Sequence, residues 1–247
     1  MFNKQKEERI KQNRELLGAV IKDIRFLGGQ GLPLRGHREC YSESNPHQNR
    51  GNFLAFLNVI GTWDKTVKDV TDEVESKQRI GKRVQASMFS PLIQNQIITI
   101  FGEEIKKSIV QDVLEAGHYV IISDEATVHN EQYLTLGLRY LHKKERKIKE
   151  DWISFTKMES ADAESVFELI KKELKSLGLP IQMCLGAAFD GAAVMTGKLT
   201  GVAARLKEEV DHAVTTHCYN HNLSLSVMGK KLTNIHYKSY FRYKYIY

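Results

Sequence analysis

Cysteine is scarce in this chain, and its scarcity excludes one class of fold. The 247 residues contain three cysteines, Cys40, Cys184 and Cys218, which are far apart and odd in number. Domains stabilised by disulfides are usually short and carry paired cysteines at close spacing. We therefore expect a hydrophobic core to hold this chain together, in a reducing compartment.

Long apolar runs are also missing. No stretch reaches the roughly 18 apolar residues that a membrane-spanning helix needs. The N-terminus, MFNKQKEER, lacks an apolar segment followed by small residues, so it does not resemble a secretory signal. With 42% hydrophobic and 27% charged residues, the composition is typical of a globular domain, and we expect it to be intracellular.

Neither positive nor negative residues dominate the sequence, which has 36 Lys and Arg and 30 Asp and Glu. The formal net charge is +6, which weakly favours an anionic partner such as nucleic acid. Lysine and glutamate alternate along the segments with helical spacing, however, so solvated helix faces account for most of the charge. Composition alone therefore does not decide between an enzyme and a binding module.

The first 117 residues have the periodicity of helices. Apolar residues recur at helical spacing in residues 3–27, and further helices are predicted from Asn52, over 62–77 and from Pro91 to about residue 116, where Gly117 would end the last one. In that last helix, apolar residues step by four and predict one buried face: Ile93, Ile97, Phe101, Ile105, Ile109 and Val113.

The pattern changes to that of an α/β domain at His118. Strands are predicted at residues 119–122, 131–140, 152–157, 183–189 and 213–218, and helices at 161–177, 197–210 and from 220. The order is β-β-β-α-β-α-β-α, which is that of an incomplete ribonuclease-H-like mixed sheet. We thus divide the chain into a helical region (1–117), a partial ribonuclease-H-like core (118–229) and an irregular tail (230–247).

Two of these strands lead into acidic residues. The first is predicted to end on Asp124 and Glu125, and the apolar run at 181–189 leads into Asp190 and Gly191. In a ribonuclease-H-like sheet the first and fourth strands are neighbours, so Asp124 and Asp190 would approach each other at one edge. Paired carboxylates favour Mg²⁺, which can support phosphodiester cleavage.

Simpler interpretations of these acids remain open. An aspartate at the end of a strand is more often a turn residue or a helix cap than a metal ligand. Glu125 is expected to be solvated, or to support the site without contacting a metal. On spacing alone, two aspartates on two inferred strands are a weak signal.

The cysteines and histidines allow a second kind of site. Cys218 and His221 form a Cys-x-x-His unit, and His37 with Cys40 could supply the other half of a zinc site. Neither spacing matches a complete four-ligand motif, so we favour a structural cysteine and a hydrogen-bonded histidine near the acidic edge. Cys184 lies on the fourth predicted strand and is expected in the core.

Several stretches, taken in order, resemble the hAT superfamily of DNA transposases, and most of all the domesticated proteins related to zinc finger MYM-type protein 1. The resemblance covers roughly residues 10–228. It is carried by IRFLGGQGLPLRGH (24–37), NRGNF (49–53), ISDEAT (122–127), EQYLTL (131–136), LRY (138–140), FDGAAVMTGK (189–198) and HCYNHNL (217–223).

The resemblance implies a ribonuclease-H-like core with an Asp-Asp-Glu triad, magnesium as the cofactor, DNA as the ancestral partner and the nucleus as the location. Asp124 matches the first acid and Asp190 the second, while Cys218 and His221 match the signature that follows. The third acid, a glutamate, has no counterpart here, because no glutamate follows Glu209. The resemblance therefore implies a truncated and inactive relative.

Three hypotheses follow from this reading. The chain is an incomplete metal-dependent DNA strand-transfer enzyme, or a domesticated module that binds protein or DNA and keeps Asp124 and Asp190 as relics. A third and weaker hypothesis is a nuclease that completes its site with Glu125 or Glu131. The resemblance also implies that the helix which carries the third acid and covers one face of the sheet is missing. Its absence would leave an exposed apolar patch and a marginally stable domain.

Overall fold

A computed structural model describes residues 2–36, 49–80, 82, 88–190, 192–197 and 200–218. The predictions for His37, Cys40, Gly191, His221, the helix from residue 220 and the tail at 230–247 lie outside these ranges. The chain divides into two compact units, with the boundary after Glu103. Among the described residues, no helix is long and apolar enough to cross a membrane.

The first unit is helical, as the sequence predicted. Its helices are α1 (Phe2–Gly29), α2 (Asn52–Ile60), α3 (Lys65–Arg79) and the first part of α4 (Pro91–Ala116). Asp64 caps α3, since its side chain accepts a hydrogen bond from the backbone N–H of Val67 at 3.1 Å. The core of the unit is apolar: Leu16, Ala19, Val20, Ile24, Leu27, Phe53, Leu57, Val67, Val74, Phe89 and Ile97.

Helix α4 has its predicted bounds, but the prediction of a single buried face is wrong. Gly117 ends the helix with a φ of 84°, a conformation that glycine adopts at little cost. Ile97, Ile109 and Val113 are buried, whereas Ile105 is 59% exposed. A step of four residues overshoots one helical turn by about 40°, so a long series of such steps winds around the helix.

The second unit is built on a five-stranded mixed sheet. Its strands are β1 (Tyr119–Val128), β2 (Glu131–His142), β3 (Lys147–Lys157), β4 (Cys184–Phe189) and β5 (Val214–His217). The order across the sheet is β3-β2-β1-β4-β5. The three first strands pair antiparallel, while β4 lies parallel to β1 and to β5. The predicted ribonuclease-H-like arrangement is therefore confirmed, including the contact of the first strand with the fourth.

Several element bounds differ from the prediction. Strand β1 does not end at Ile122 but continues to Val128, because a two-residue turn at His129 and Asn130 joins it directly to β2. Both turn residues have positive φ, 49° and 65°, as a tight hairpin turn requires. Strand β3 begins earlier than predicted, at Lys147.

The helices of the second unit are α5 (Ala163–Ser176), α6 (Ala193–Thr196) and α7 (Val202–Glu209). Helix α7 begins later than the predicted residue 197, and a 3₁₀ turn over Ile181–Met183 precedes β4. Asp162 caps α5 by accepting a hydrogen bond from the Ser165 N–H at 2.9 Å. Helix α5 lies between β3 and β4, and helices α6 and α7 lie between β4 and β5.

One face of the sheet forms the core of this unit. Side chains from α4, α5 and α7 join buried strand residues in a single apolar cluster. On the opposite face, Trp152 is 51% and Phe155 55% exposed, and the Phe155 ring stacks on Tyr133 with centroids 4.6 Å apart. The described residues thus include exposed aromatic side chains on this face, while the apolar patch expected from a missing helix stays a prediction.

Gly186 provides a test of the β4–β5 pairing. It lies beside Val214 in the register, and a Cβ atom there would collide with the Val214 backbone carbonyl. We expect Gly186→Ala to reduce the free energy of unfolding by about 1–3 kcal/mol, the cost of overpacking. Chemical denaturation measures this change.

The matched control is Gly102→Ala in α4, where a Cβ atom would meet nothing within 4 Å. This substitution should leave stability unchanged or raise it by up to about 1 kcal/mol, since alanine favours helix more than glycine does. Equal losses in both variants would contradict the β4–β5 register.

Candidate functional site

Three parallel strands lie side by side in the sheet, and two of them, β4 and β5, end at the same level beside β1. Ser123 of β1 is level with Phe189 of β4, which is level with His217 of β5. One residue further along each strand, the same register brings Asp124, Asp190 and Cys218 into one row. The Cys218 N–H donates a hydrogen bond to the Phe189 carbonyl at 2.7 Å, which extends the pairing to this level.

Two hydroxyl groups fix the backbone of β1 at this level. Ser123, 2% exposed, donates a hydrogen bond from its hydroxyl to the Thr135 carbonyl at 2.8 Å. In return, the Thr135 hydroxyl donates to the Asp124 carbonyl at 2.8 Å. The sequence analysis did not identify either hydroxyl, although a two-residue turn at residues 129–130 would have placed Thr135 opposite Asp124.

Asp124 presents its carboxylate on the exposed side of the strand. Its Oδ1 accepts a hydrogen bond from the backbone N–H of Glu125 at 2.9 Å. Antiparallel pairing of β1 with β2 continues beyond Asp124, whereas the recorded parallel pairing with β4 stops at Ser123. Asp124 therefore lies where the sheet opens between β1 and β4, although the prediction that it ends the strand is wrong.

Asp190 lies just after β4 and is half-buried. Its Oδ1 accepts a hydrogen bond from the Ala192 N–H at 3.2 Å, so the turn role considered from the sequence is present. A carboxylate has about four lone-pair positions, and this one hydrogen bond occupies a single position. The turn role and a ligand role are therefore compatible at Asp190.

Glu125 is half-buried, so the fully solvated role that the sequence allowed is not observed, whereas a supporting role near the site stays a prediction. Burial raises the pKa of its carboxyl, and the negative charges of Asp190 and then Asp124 raise it further. The three carboxyl groups are therefore close enough to interact electrostatically. A cation bound at the sheet edge would relieve this repulsion.

The donor set fits a single hydrated magnesium ion better than a two-metal centre. Magnesium often uses one or two carboxylates and keeps several water ligands, which Asp124 and Asp190 could satisfy. Within the part of the chain that the structure describes, no three histidine, cysteine or acidic residues form a metal-binding group. Asp124 and Asp190 are thus two described carboxylates that could hold such an ion at this edge.

The two described cysteines have different environments. Cys184 is buried, and its thiol donates to the Gly186 carbonyl at 3.1 Å, so the prediction of a core cysteine is confirmed. Cys218 is half-buried beside the row of strand ends. Because His221, His37 and Cys40 lie outside the described residues, the Cys-x-x-His motif and its zinc alternative stay predictions.

Comparison with known families agrees with this architecture. Residues 1–201 match the family DUF4371, described as a ZMYM1/FAM200 RNase-like domain. Because the match spans most of the chain, this protein belongs to that family. The resemblance to zinc finger MYM-type protein 1-like proteins is therefore confirmed, and an origin from hAT transposases is consistent with it.

Two curated proteins resemble this chain at low sequence identity. The chain is 25% identical over 210 residues to the human protein named 52 kDa repressor of the inhibitor of the protein kinase, and to its mouse counterpart. The alignment covers 84% of this chain and 26% of each relative. The chain thus spans about a quarter of the length of the curated relatives it matches.

Substitutions at Asp190 separate its turn role from its charge. Asp190→Asn keeps an oxygen that can accept the Ala192 N–H, so we expect the free energy of unfolding to stay close to that of the wild type. Asp190→Ala removes the acceptor and should cost about 0.5–1.5 kcal/mol. Thermal or chemical denaturation measures both, and a loss in the asparagine variant as large as in the alanine variant would contradict the turn role.

Proposed function

We propose that this chain is a domain derived from a hAT-type DNA transposase. Its ancestral activity was magnesium-dependent DNA cleavage and strand transfer, and these 247 residues alone are catalytically inactive. The observation that carries this proposal is the register that sets Asp124 and Asp190 on adjacent parallel strands. The RNase-like family supports the ancestry.

The proposed inactivity follows from the incomplete set of acids. Two-metal phosphodiester chemistry needs carboxylates that hold both ions about 3.5–4 Å apart. Asp124 and Asp190 are two such ligands, and no glutamate follows Glu209 in the sequence. With two carboxylates, a second ion would have too few ligands to be held in a productive position.

Neither glutamate of the nuclease hypothesis is a good substitute. Glu125 follows Asp124 directly in β1, and successive side chains of a strand point to opposite faces. Glu131 is exposed and already engaged, because its carboxylate binds the Lys157 ammonium at 2.5 Å and accepts the Tyr133 hydroxyl at 2.9 Å. The nuclease hypothesis therefore has less support than the inactive one.

If magnesium binds, Asp124 and Asp190 would hold it at the sheet edge, and the ion would stabilise negative charge on phosphate oxygens there. The chain's own contribution is the position of the two carboxylates. The Ser123 hydroxyl donates to the Thr135 carbonyl and the Thr135 hydroxyl donates to the Asp124 carbonyl, which fixes the backbone at Asp124. The Ala192 N–H orients Asp190. These hydrogen bonds position the two aspartates whether or not a metal is bound.

The alternative is a domesticated module that binds DNA or protein in the nucleus. It is supported by the name of the human relative, a repressor, and by the net charge of +6. In that case Asp124 and Asp190 would be relics of the ancestral site. The two proposals differ in whether the sheet edge still binds a divalent cation.

Calorimetric titration with Mg²⁺ and Mn²⁺ tests the primary proposal. We expect wild-type binding that is lost in the double variant Asp124→Asn, Asp190→Asn, because each substitution removes a negative ligand while preserving shape. Asp211→Asn is the matched control, since the Asp211 side chain is 99% exposed between α7 and β5. Absence of binding in the wild type would overturn the metal-site proposal and favour the module.

A second titration addresses DNA. If the chain binds duplex DNA through phosphate contacts, its affinity should fall steeply and linearly on a plot of log K against log salt, with a slope of about −0.9 per contact. The double variant should bind DNA at least as well as the wild type in the absence of metal, because it carries less negative charge. A flat salt dependence would instead favour a protein partner.

A further inference from the structure

An acidic residue lies in the apolar core of the helical unit. Asp23 is fully buried, at 0% exposure, and follows Leu16, Ala19 and Val20 on the inward side of α1, ahead of Leu27. These positions recur every three or four residues, which is the spacing of a core-facing helical stripe. Asp23 thus occupies a position where an apolar side chain would be expected.

The carboxylate of Asp23 has no compensating group among the described residues. Neither oxygen has a hydrogen-bond partner. A buried carboxylate without hydrogen bonds or a counter-charge is among the most unfavourable groups in a folded protein. Protonation neutralises the carboxylate and thereby removes the unfavourable free energy of burying its charge.

The elements around α1 bring no charge to this position. Helix α2 contains no ionisable residue, and α3 directs Val67 and Val74 inward. The ionisable residues of α3 lie on its exposed or half-buried surface: Lys65, Lys68, Asp69, Asp72, Glu73, Glu75, Lys77 and Arg79.

The other described residues packed in this core also bring no charge to Asp23. The core residues Phe89 and Ile97 are apolar, and the buried Gln94 is uncharged, accepting from Arg35 and donating to the Phe89 carbonyl. On α1 itself, Lys22 and Arg25 are exposed. Burial is accordingly the cause that raises the pKa of Asp23 from 3.8 to about 7.

We propose that Asp23 is a proton-controlled latch: its neutral form holds α1 in the helical core, and its ionisation loosens α1 from that core. The acid form can be buried without a counter-charge, whereas the carboxylate favours exposure to water. This device is independent of the acidic sheet edge and of the function proposed for it.

The direction of the pH effect follows from proton linkage. A group with a raised pKa in the folded state holds its proton while the unfolded or open state has lost it, so stability falls as pH rises between the two values. For Asp23 this window runs from about pH 4 to about pH 7. Within it, one proton is released on opening, so the opening constant should rise about tenfold per pH unit and level off above pH 7.

Hydrogen exchange of the full chain, followed by mass spectrometry from pH 4.5 to 8 and corrected for intrinsic rates, tests the latch. In the wild type, the opening constants of the α1 amides should increase with pH. Asp23→Asn should abolish this increase. Asp69→Asn is the matched control, because this exposed aspartate of α3 should leave the rise unchanged. A rise that persists in Asp23→Asn, or none in the wild type, would overturn the proposal.

Because Asp23→Asn could impair folding, a second measurement uses the wild type alone. Carboxyl carbon chemical shifts of ¹³C-labelled aspartate should show one group that titrates near pH 7. Absence of any such late-titrating aspartate would equally overturn the latch.

Discussion

The parallel pairing of β1 with β4 is the constraint on which the candidate site depends. Asp124 and Asp190 are far apart in sequence, and only this pairing makes them neighbours. Two further contacts keep the edge in place: the hydroxyls of Ser123 and Thr135 bind β1 to β2, and the Cys218 N–H binds β5 to β4. The acidic character of the edge follows from this backbone arrangement and not from a local motif.

The same arrangement is compatible with the proposal that the domain keeps a cation site and has lost catalysis. Two carboxylates at one edge create a negative field. The pKa of Glu125 is raised first by burial and then by the charges of Asp190 and Asp124. A field of this kind favours one hydrated cation, whereas cleavage of a phosphodiester needs a more complete set of ligands. Family membership is consistent with such a history, because the matching family is one of RNase-like domains and the curated relatives are about three times as long as this chain.

Much of the fold could be predicted from the sequence, because its elements have strong and separate periodicities. The order of strands, the position of α4 and the neighbouring first and fourth strands all follow from hydrophobic spacing and the family's arrangement. The ends of strands were less predictable where the conformation of a turn decides them, as at His129 and Asn130 between β1 and β2. Ile105 was predicted to be buried but is exposed, because residues four apart do not stay on one face of a long helix.

The environments of individual acids could be predicted least. The sequence identified Asp124 and Asp190 as strand-end acids, but the burial of Glu125 depends on the whole sheet edge. Asp23 is the extreme case, because its place on the inward stripe of α1 is visible in the sequence whereas its missing partners are not. Long-range packing decides whether a charged residue is solvated, paired or isolated.

Disulfide cross-linking tests the central geometric claim most directly. Asp124 and Asp190 each follow a residue of the last β1–β4 pair, Ser123 and Phe189, so we expect their Cα atoms to lie within the separations that a disulfide spans, about 4.4–6.8 Å. In a Cys218→Ser background, which removes the neighbouring thiol, Asp124→Cys with Asp190→Cys should form a cross-link on mild oxidation. Thr127→Cys with Asp190→Cys, displaced along β1, should not. Peptide mapping that finds no 124–190 disulfide, or finds both pairs linked equally, would contradict the account.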